Sequence, residues 1–314
     1  MNINQIENYK DGDQVKELTG WVDNIRDHGG LTFVDLRDFT GTVQLVFDKS
    51  SEIDMKLKNE YYIAIDGTFK KRDESLINKK IYLGDSEVDV SNLNIISSSK
   101  TLPFQIENDI ETDENIRLKY RYLDLRREPM KINIITRSNT FKSIRSIMND
   151  LNIYEIDTPT LIKSTPEGAK DFLVPSRKSP SKFYALPQSP QMYKQLFMMS
   201  GFPNYYQIAK CYRDEDSRKD RQPEFTQLDL EFSDASPSLV KTNIEKIVQY
   251  IFTDAYDCKI NIPFNSLSYI DSMNMYGTDK PDLRIVETLV DITDIFTSTE
   301  INFIKDIIKS GGLI

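Results

Sequence analysis

Between residues 205 and 232 the sequence spaces chemically complementary side chains two apart. Segments 205–213 and 225–232 both alternate apolar and polar residues, the period of a β-strand, and a charged loop over 214–224 joins them. On such a hairpin Leu228, Leu230 and Phe232 share one face, and Phe225, Gln227, Asp229 and Glu231 share the other. The first strand leaves Arg213 and Glu215 in phase, and the loop returns through Arg221-Gln222-Pro223-Glu224-Phe225. Arginine grips phosphate with two parallel N–H donors, a phenylalanine ring stacks on a purine, and a glutamate accepts from the adenine amino group. That face can hold an adenine nucleotide. A salt-bridged solvent hairpin is the other reading, and it explains the aromatic at the loop's end poorly.

A second group of residues suits an amino acid. Ser189-Pro190 reads as an N-cap followed by proline at the first helical position, with Gly201 closing the helix. Gln191 and Lys194 then stand at i and i+3 near a positive helix end, where a lysine can hold a carboxylate. Glu167, in Ser164-Thr165-Pro166-Glu167-Gly168, can close over an ammonium group from a Gly/Pro loop. Singly, the two charged residues also read as a solvated helix lysine and a loop glutamate.

The elements that must carry these groups follow from pattern. Segments 15–24, 31–38, 42–48, 62–69 and 87–96 are β-rich and punctuated by glycine, which predicts a five-stranded barrel. If Phe39-Thr40 is a two-residue hairpin loop, Val34, Leu36, Val43, Leu45 and Phe47 form an apolar face. The opposite face carries Phe33, Asp35, Arg37, Thr42, Gln44 and Val46, so an aromatic ring stands near-diagonal to an amide among polar groups. A nucleobase can stack on that ring and be read by that amide. The alternative is a surface phenylalanine packed under a loop, and five-stranded barrels also bind sugars and peptides.

Periodicity fades over 103–127, where Arg117, Lys119, Arg121, Arg126 and Arg127 gather against Asp124, which predicts a linker. A helix is expected over 136–151 with Phe141, Ile144, Met148 and Leu151 on one face, stopped by Asn152 at a left-handed position. A strand-like 154–158 follows. Ser236-Pro237 opens a further helix to about Tyr256, with Val240, Ile244, Ile247 and Ile251 on its apolar side.

Composition narrows the classes. The 314 residues suggest two domains. Forty basic against 49 acidic residues give a formal charge of −9, which excludes a histone-like binder and requires local basic patches for any nucleic acid. Hydrophobic residues at 39% suffice for a core. Cys211, Cys258 and the single histidine, His28, cannot form a disulfide framework or a Cys/His metal cluster, which predicts a reducing, cytoplasmic setting. No basic and apolar leader opens the chain, and no apolar run approaches the roughly 20 residues that span a bilayer.

Motif after motif then resembles bacterial-type aspartyl-tRNA synthetase. The stretches are Gly20-Trp21-Val22, Arg26-Asp27-His28-Gly29-Gly30, Val34-Asp35-Leu36-Arg37-Asp38 and Arg121-Tyr122-Leu123-Asp124-Leu125-Arg126-Arg127. They continue in Ser164-Thr165-Pro166-Glu167-Gly168-Ala169, Leu186-Pro187-Gln188-Ser189-Pro190-Gln191, Cys211-Tyr212-Arg213-Asp214-Glu215-Asp216 and Arg221-Gln222-Pro223-Glu224-Phe225-Thr226-Gln227. The resemblance implies an α+β chain: an OB-fold anticodon-binding barrel over 1–102, a hinge over 103–133, a class II catalytic core over 134–282 and the start of an inserted domain over 283–314. It implies that ATP and L-aspartate condense to aspartyl-adenylate, whose acyl group passes to tRNA(Asp). Arg213 and Glu215 would be catalytic, and Arg213, Asp214, Glu215, Arg221, Gln222 and Phe225 would bind ATP. Glu167, Gln191, Lys194, Arg213 and Asp229 would bind aspartate, while Phe33, Gln44 and Arg26 would read the anticodon. In this family a histidine at the place of His28 accompanies enzymes that also charge tRNA(Asn); its other reading is a turn residue beside Gly29-Gly30. Pro159 matches the first class II motif, which implies a homodimer, and Asn152 stands where that motif usually has glycine.

One departure bears on activity. The class needs a third, glycine-rich motif whose arginine binds the γ-phosphate, yet after Phe232 glycine recurs only at 277, 311 and 312, and no histidine follows. Mg2+ is expected from the family with its ligands in that later part. The segment from Tyr276 to Arg284 resembles the approach to the inserted domain. The expectation is a truncated or split ligase, inactive alone, against the alternative of a non-catalytic tRNA-binding fragment or regulator.

Overall fold

The computed structural model describes the chain except residues 49–55, 80, 166, 217 and 219. Pro166, in the expected Gly/Pro loop, lies outside the described residues. The chain divides into a unit over Met1–Ile135 and a unit over Thr136–Ile314.

In the first unit β1 (Gln14–Asp27), β2 (Leu31–Arg37), β3 (Thr42–Asp48), β4 (Tyr62–Lys71) and β5 (Ser86–Ser97) close into a barrel in the order β1-β2-β3-β5-β4. The β2–β3 turn is the expected one: Arg37 pairs with Thr42, and the Asp38 N–H donates to the Gly41 carbonyl at 2.9 Å. Val34, Leu36, Val43, Leu45 and Phe47 are all buried in the core. A short 3-10 turn, Ile3–Ile6, too brief for its period to register in the sequence, adds two fully buried isoleucines to that core. Gly67 sits at a register shift between β4 and β5, where an added Cβ would stand 2.2 Å from the Asp89 carbonyl oxygen. Only glycine allows that approach.

Residues 103–133, read as a linker, carry α1 (Glu114–Lys119), α2 (Arg121–Asp124) and the start of α3 (Glu128–Asp150). The arginines there are structural. The fully buried Asp124 carboxylate takes Arg121, Arg127 at 2.8 Å and Arg117 at 3.8 Å. Buried Glu60 takes both Arg37 and Arg126, and the Arg126 guanidinium lies over the Trp21 ring at 4.6 Å. A carboxylate removed from water is costly unless paired in this way.

The helix α3 starts at Glu128, earlier than expected, because Pro129 falls in its first turn, where a missing N–H costs no helical hydrogen bond, and the chain leaves it through Asn152 at φ +54, as the left-handed stop requires. The expected strand at 154–158 reduces to a single parallel bridge, Glu155 to Tyr206. Next come β6 (Leu173–Pro175), β7 (Phe183–Ala185), α4 (Gln191–Met199), β8 (Asn204–Tyr212), β9 (Glu224–Phe232) and α5 (Pro237–Tyr256). Then follow α6 (Tyr269–Tyr276), a 3-10 turn at Thr293–Phe296 and α7 (Asn302–Lys309). The β6–β7 and β8–β9 hairpins are separate two-stranded sheets.

The second core gathers Ile144, Ile147 and Met148 of α3 with Ile153, Tyr206 and Ile247; Leu228, Leu230 and Phe232 pack against it. The expected apolar side of α5 is only half buried: Ile247 and Ile251 join the core, while Val240 and Ile244 are 37% and 36% exposed. They lie in the helix's first half, away from α3.

Candidate active site and base-reading face

The β8–β9 ladder pairs Cys211 with Phe225, Ala209 with Gln227, Gln207 with Asp229 and Tyr205 with Glu231. That register sets the expected polar side chains in one row above the apolar face. At its open end a cleft of about 380 Å³ is lined by Arg213, Glu215, Asp216, Asp220, Arg221, Gln222, Pro223 and Phe225. The Arg213 guanidinium lies over the Phe225 ring, 5.1 Å from its centroid. A cation and a ring already in contact offer one phosphate clamp and one stacking surface to the same ligand. Asp214 is tied by its N–H to the Lys170 carbonyl at 3.0 Å, and a further cleft is bordered by Gly168, Ala169, Lys170, Asp214, Glu215 and Arg221.

Farther along the row, Lys194 of α4 reaches Asp229 Oδ1 at 3.0 Å and Glu231 Oε2 at 3.3 Å. Burial alone would lower its pKa, but the hydrogen bond and charge of Asp229, with Glu231, carry it above the usual lysine range. Burial also raises Asp229 above the usual carboxylate value, against the pull of Lys194. Lys194 is thus an ammonium held by two carboxylates. Beneath it Tyr205 is fully buried, stacked on Phe197 of α4 at 5.8 Å, and donates its hydroxyl to Gln207 Oε1 at 2.8 Å. Burial drives that phenol's pKa upward, and burial pushes the Cys211 thiol up to about 11, so neither ionises near neutrality.

The helix carrying Gln191 and Lys194 begins one residue later than expected: Pro190 occupies the N-cap and Gln191 is the first helical residue. The Ser189 hydroxyl accepts from the Gln191 N–H at 3.3 Å and donates to Glu167 Oε2 at 2.7 Å. Read from sequence only as a cap, Ser189 also holds the Glu167 carboxylate. The preceding glutamate-bearing loop was the available signal. Among the described residues no group of three or more His, Cys, Asp or Glu side chains could hold a metal ion.

In the first unit, Phe33 on β2 is half-buried on the outer face and meets His28 edge-on at 5.4 Å. His28 is also a turn residue: its N–H donates to the Leu31 carbonyl at 2.9 Å. Gln44 is 5% exposed and already engaged. Its Oε1 accepts from Arg26 at 3.2 Å and Arg72 at 3.4 Å, and its Nε2 donates to Glu87 at 3.0 Å. Arg26 grips Asp35 with two bonds of 2.8 Å. The ring therefore stands beside a preformed polar network rather than a free amide, and alternation alone could not reveal those partners on β1, just after β4 and on β5.

Comparison with known proteins agrees with both halves. Residues 113–305 match the family described as tRNA synthetases class II (D, K and N), and residues 17–96 match the OB-fold nucleic acid binding domain. The Aspartate--tRNA(Asp/Asn) ligase of Dictyoglomus turgidum is 50% identical over 302 residues, covering 95% of this chain and 51% of that protein. The Aspartate--tRNA ligase of Halalkalibacterium halodurans is 47% identical over 303 residues, covering 95% of this chain and 51% of its own length. The chain spans about half the length of the curated relatives it matches. Among solved structures, Entamoeba histolytica asparaginyl-tRNA synthetase in complex with asparaginyl-adenylate superposes with TM-score 0.74 at 23% identity, over 93% of this chain and 70% of that one. With an OB-fold domain over 17–96 and the synthetase match over 113–305, the chain belongs to the class II tRNA synthetases of the D, K and N group.

Proposed function

We propose that this chain supplies the anticodon-reading and the ATP- and aspartate-binding residues of an aspartate–tRNA ligase. The observation that carries the reading is Lys194, a buried ammonium held between Asp229 and Glu231 on the same strand row as the Arg213–Phe225 cleft. A nucleotide and an anionic amino acid set along one row would meet near Arg213. There an aspartate α-carboxylate oxygen attacks the α-phosphorus of ATP, the bond to the β-phosphate breaks, and pyrophosphate leaves aspartyl-adenylate. The acyl carbon then passes to a ribose hydroxyl of the terminal adenosine of tRNA(Asp), releasing AMP.

In this reading Arg213 neutralises the charge developing on the α-phosphate and, with Glu215, serves the chemical step. Phe225 stacks on adenine, and Asp214, Glu215, Arg221 and Gln222 complete the nucleotide site. Glu167 and Gln191 face the substrate ammonium, while Lys194 and Asp229 shape the side-chain pocket. Phe33, Gln44 and Arg26 read the anticodon, with His28 against Phe33 admitting tRNA(Asn). Segments 1–102, 103–133, 134–282 and 283–314 serve as anticodon domain, hinge, catalytic core and start of an inserted domain, in a cytoplasmic homodimer. Among the described residues no helix is long and apolar enough to cross a membrane.

Equilibrium titration of the chain with L-aspartate and with ATP, by calorimetry or ligand-observed NMR, tests the reading. Binding of both, with L-aspartate preferred over L-glutamate, is expected; failure to bind either refutes it.

A further inference from the structure

The segment Glu167-Gly168-Ala169 is held in place by Gln188, a residue outside the proposed binding set. Gln188 is 1% exposed, and its side-chain amide clasps one backbone residue from both sides. The Ala169 N–H donates to Gln188 Oε1 at 3.2 Å, and Gln188 Nε2 donates back to the Ala169 carbonyl at 2.8 Å. The amide's second proton goes to Asp171 Oδ1 at 2.6 Å, while Asp171 Oδ2 accepts from Ser164 at 2.5 Å. One side chain thus does for Ala169 what a neighbouring strand would do.

The clasp is flanked by two other ties. Lys170 offers its carbonyl to the Asp214 N–H, and Glu167 receives the Ser189 hydroxyl. Ser189 is the residue after Gln188, so the clasp and the carboxylate contact share one short stretch of backbone. Gly168, at φ +101, turns the chain between Glu167 and Ala169 in a conformation that other residues rarely adopt. Gly168, Ala169 and Lys170 border the cleft that Glu215 and Arg221 also line.

Resting on the aspartate-binding reading above, we propose that Gln188 is a positioning residue: by clasping Ala169 it fixes Glu167 where that carboxylate receives the α-ammonium of the substrate. Gln188 touches no substrate in this role. A carboxylate on an untethered loop must first be ordered before it can bind a cation, and that ordering is subtracted from affinity.

The test compares L-aspartate with succinate, which keeps both carboxylates and lacks the ammonium, on the full chain and its Gln188→Ala and Gln188→Glu variants. Gln188→Ala should weaken L-aspartate about tenfold, the scale of one charge-assisted hydrogen bond, and leave succinate within about twofold. Gln188→Glu keeps an acceptor for the Ala169 N–H but loses the donor, and it should show the same selective loss together with faster hydrogen exchange across 167–170. Equal weakening of both ligands means a merely structural role and overturns the proposal, as does unchanged L-aspartate affinity in a variant whose Ala169 amide exchanges faster. If the unmodified chain binds neither ligand, the aspartate reading itself falls and takes this inference with it.

Discussion

Lys194 Nζ stands 3.0 Å from Asp229 Oδ1, joining the N-terminal half of α4 to the middle of β9. Both groups are nearly withdrawn from water, with side-chain exposures of 11% and 7%. Removing one partner of such a pair leaves the other charged and uncompensated, a loss of about 3 kcal/mol. Lys194→Met should therefore lower stability by that order in chemical denaturation. It should also abolish most of the preference for L-aspartate over L-asparagine in a binding titration, a ten- to hundredfold effect by the scale of charge-assisted bonds. Pairing it with Asp229→Asn should recover stability without recovering the preference. A retained preference would place selectivity on other residues.

Phe33→Ala tests the barrel's outer face. The ring is off the apolar core formed by Val34, Leu36, Val43 and Leu45, so the melting of the barrel should change little. Affinity for an anticodon stem-loop should fall by about 1–3 kcal/mol, the value of one stacked base. Gel-shift titration at fixed salt measures it, and an unaltered affinity in a folded variant would remove Phe33 from the interface.

Glu155 offers a pH-dependent check on how β8 is anchored. Hydrogen bonding from Arg145 holds its carboxyl below the usual value of 4.5, aided by the Tyr206 hydroxyl at 2.9 Å. A folded-state pKa below the unfolded one contributes stability that is fully present above about 4.5 and is lost as pH falls through the lower folded value. Glu155→Gln should remove that part of the acid dependence and little else. The side chain is 35% exposed, so the effect at neutral pH should be a few tenths to about 1 kcal/mol. Urea midpoints measured from pH 3 to 7 would show it as a flatter acid limb; parallel limbs would deny the pair any role.

How much of this was legible in the sequence depends on how far each residue's partners lie along the chain. Period-two spacing separated Leu36 from Arg37 and Leu230 from Asp229 because a strand's faces are fixed by its own alternation. The stop at Asn152 was legible because a left-handed residue is a local requirement. Partners distant in sequence were not. Arg126 reads from spacing as gathered against Asp124, yet Glu60, far back in the chain, takes it. Gln44 seemed free because Arg72, just past β4, and Glu87, on β5, are distant in sequence. The clasp of Gln188 on Ala169 joins residues of no periodic pattern, and the Gln-Ser-Pro-Gln run pointed only to a family.

The last prediction concerns the 314 residues tested alone. The Phe33 ring and the polar network beside it stand on a closed barrel, so under the proposed function tRNA(Asp) should bind. Because Arg117, Arg121, Arg126 and Arg127 are spent on Asp124 and Glu60, few cations of that stretch reach phosphate, and the salt dependence should be shallow. Each phosphate neutralised on a single strand contributes only about 0.7 to the slope of log K against log salt. Aspartate activation is a different matter. It needs the γ-phosphate clamped and the attacking carboxylate held in line, and Arg213 with Arg221 forms one side of a clamp. No aspartate-dependent ATP–pyrophosphate exchange is therefore expected from these residues alone. The catalytic half should also be the looser one: β8 and β9 form a two-stranded sheet, which is marginal without further strands, whereas the barrel has no free edge. Hydrogen exchange should run faster through β8 and β9 than through β2 and β3. Robust pyrophosphate exchange from the purified chain would overturn this expectation and show that other residues of the chain clamp the γ-phosphate.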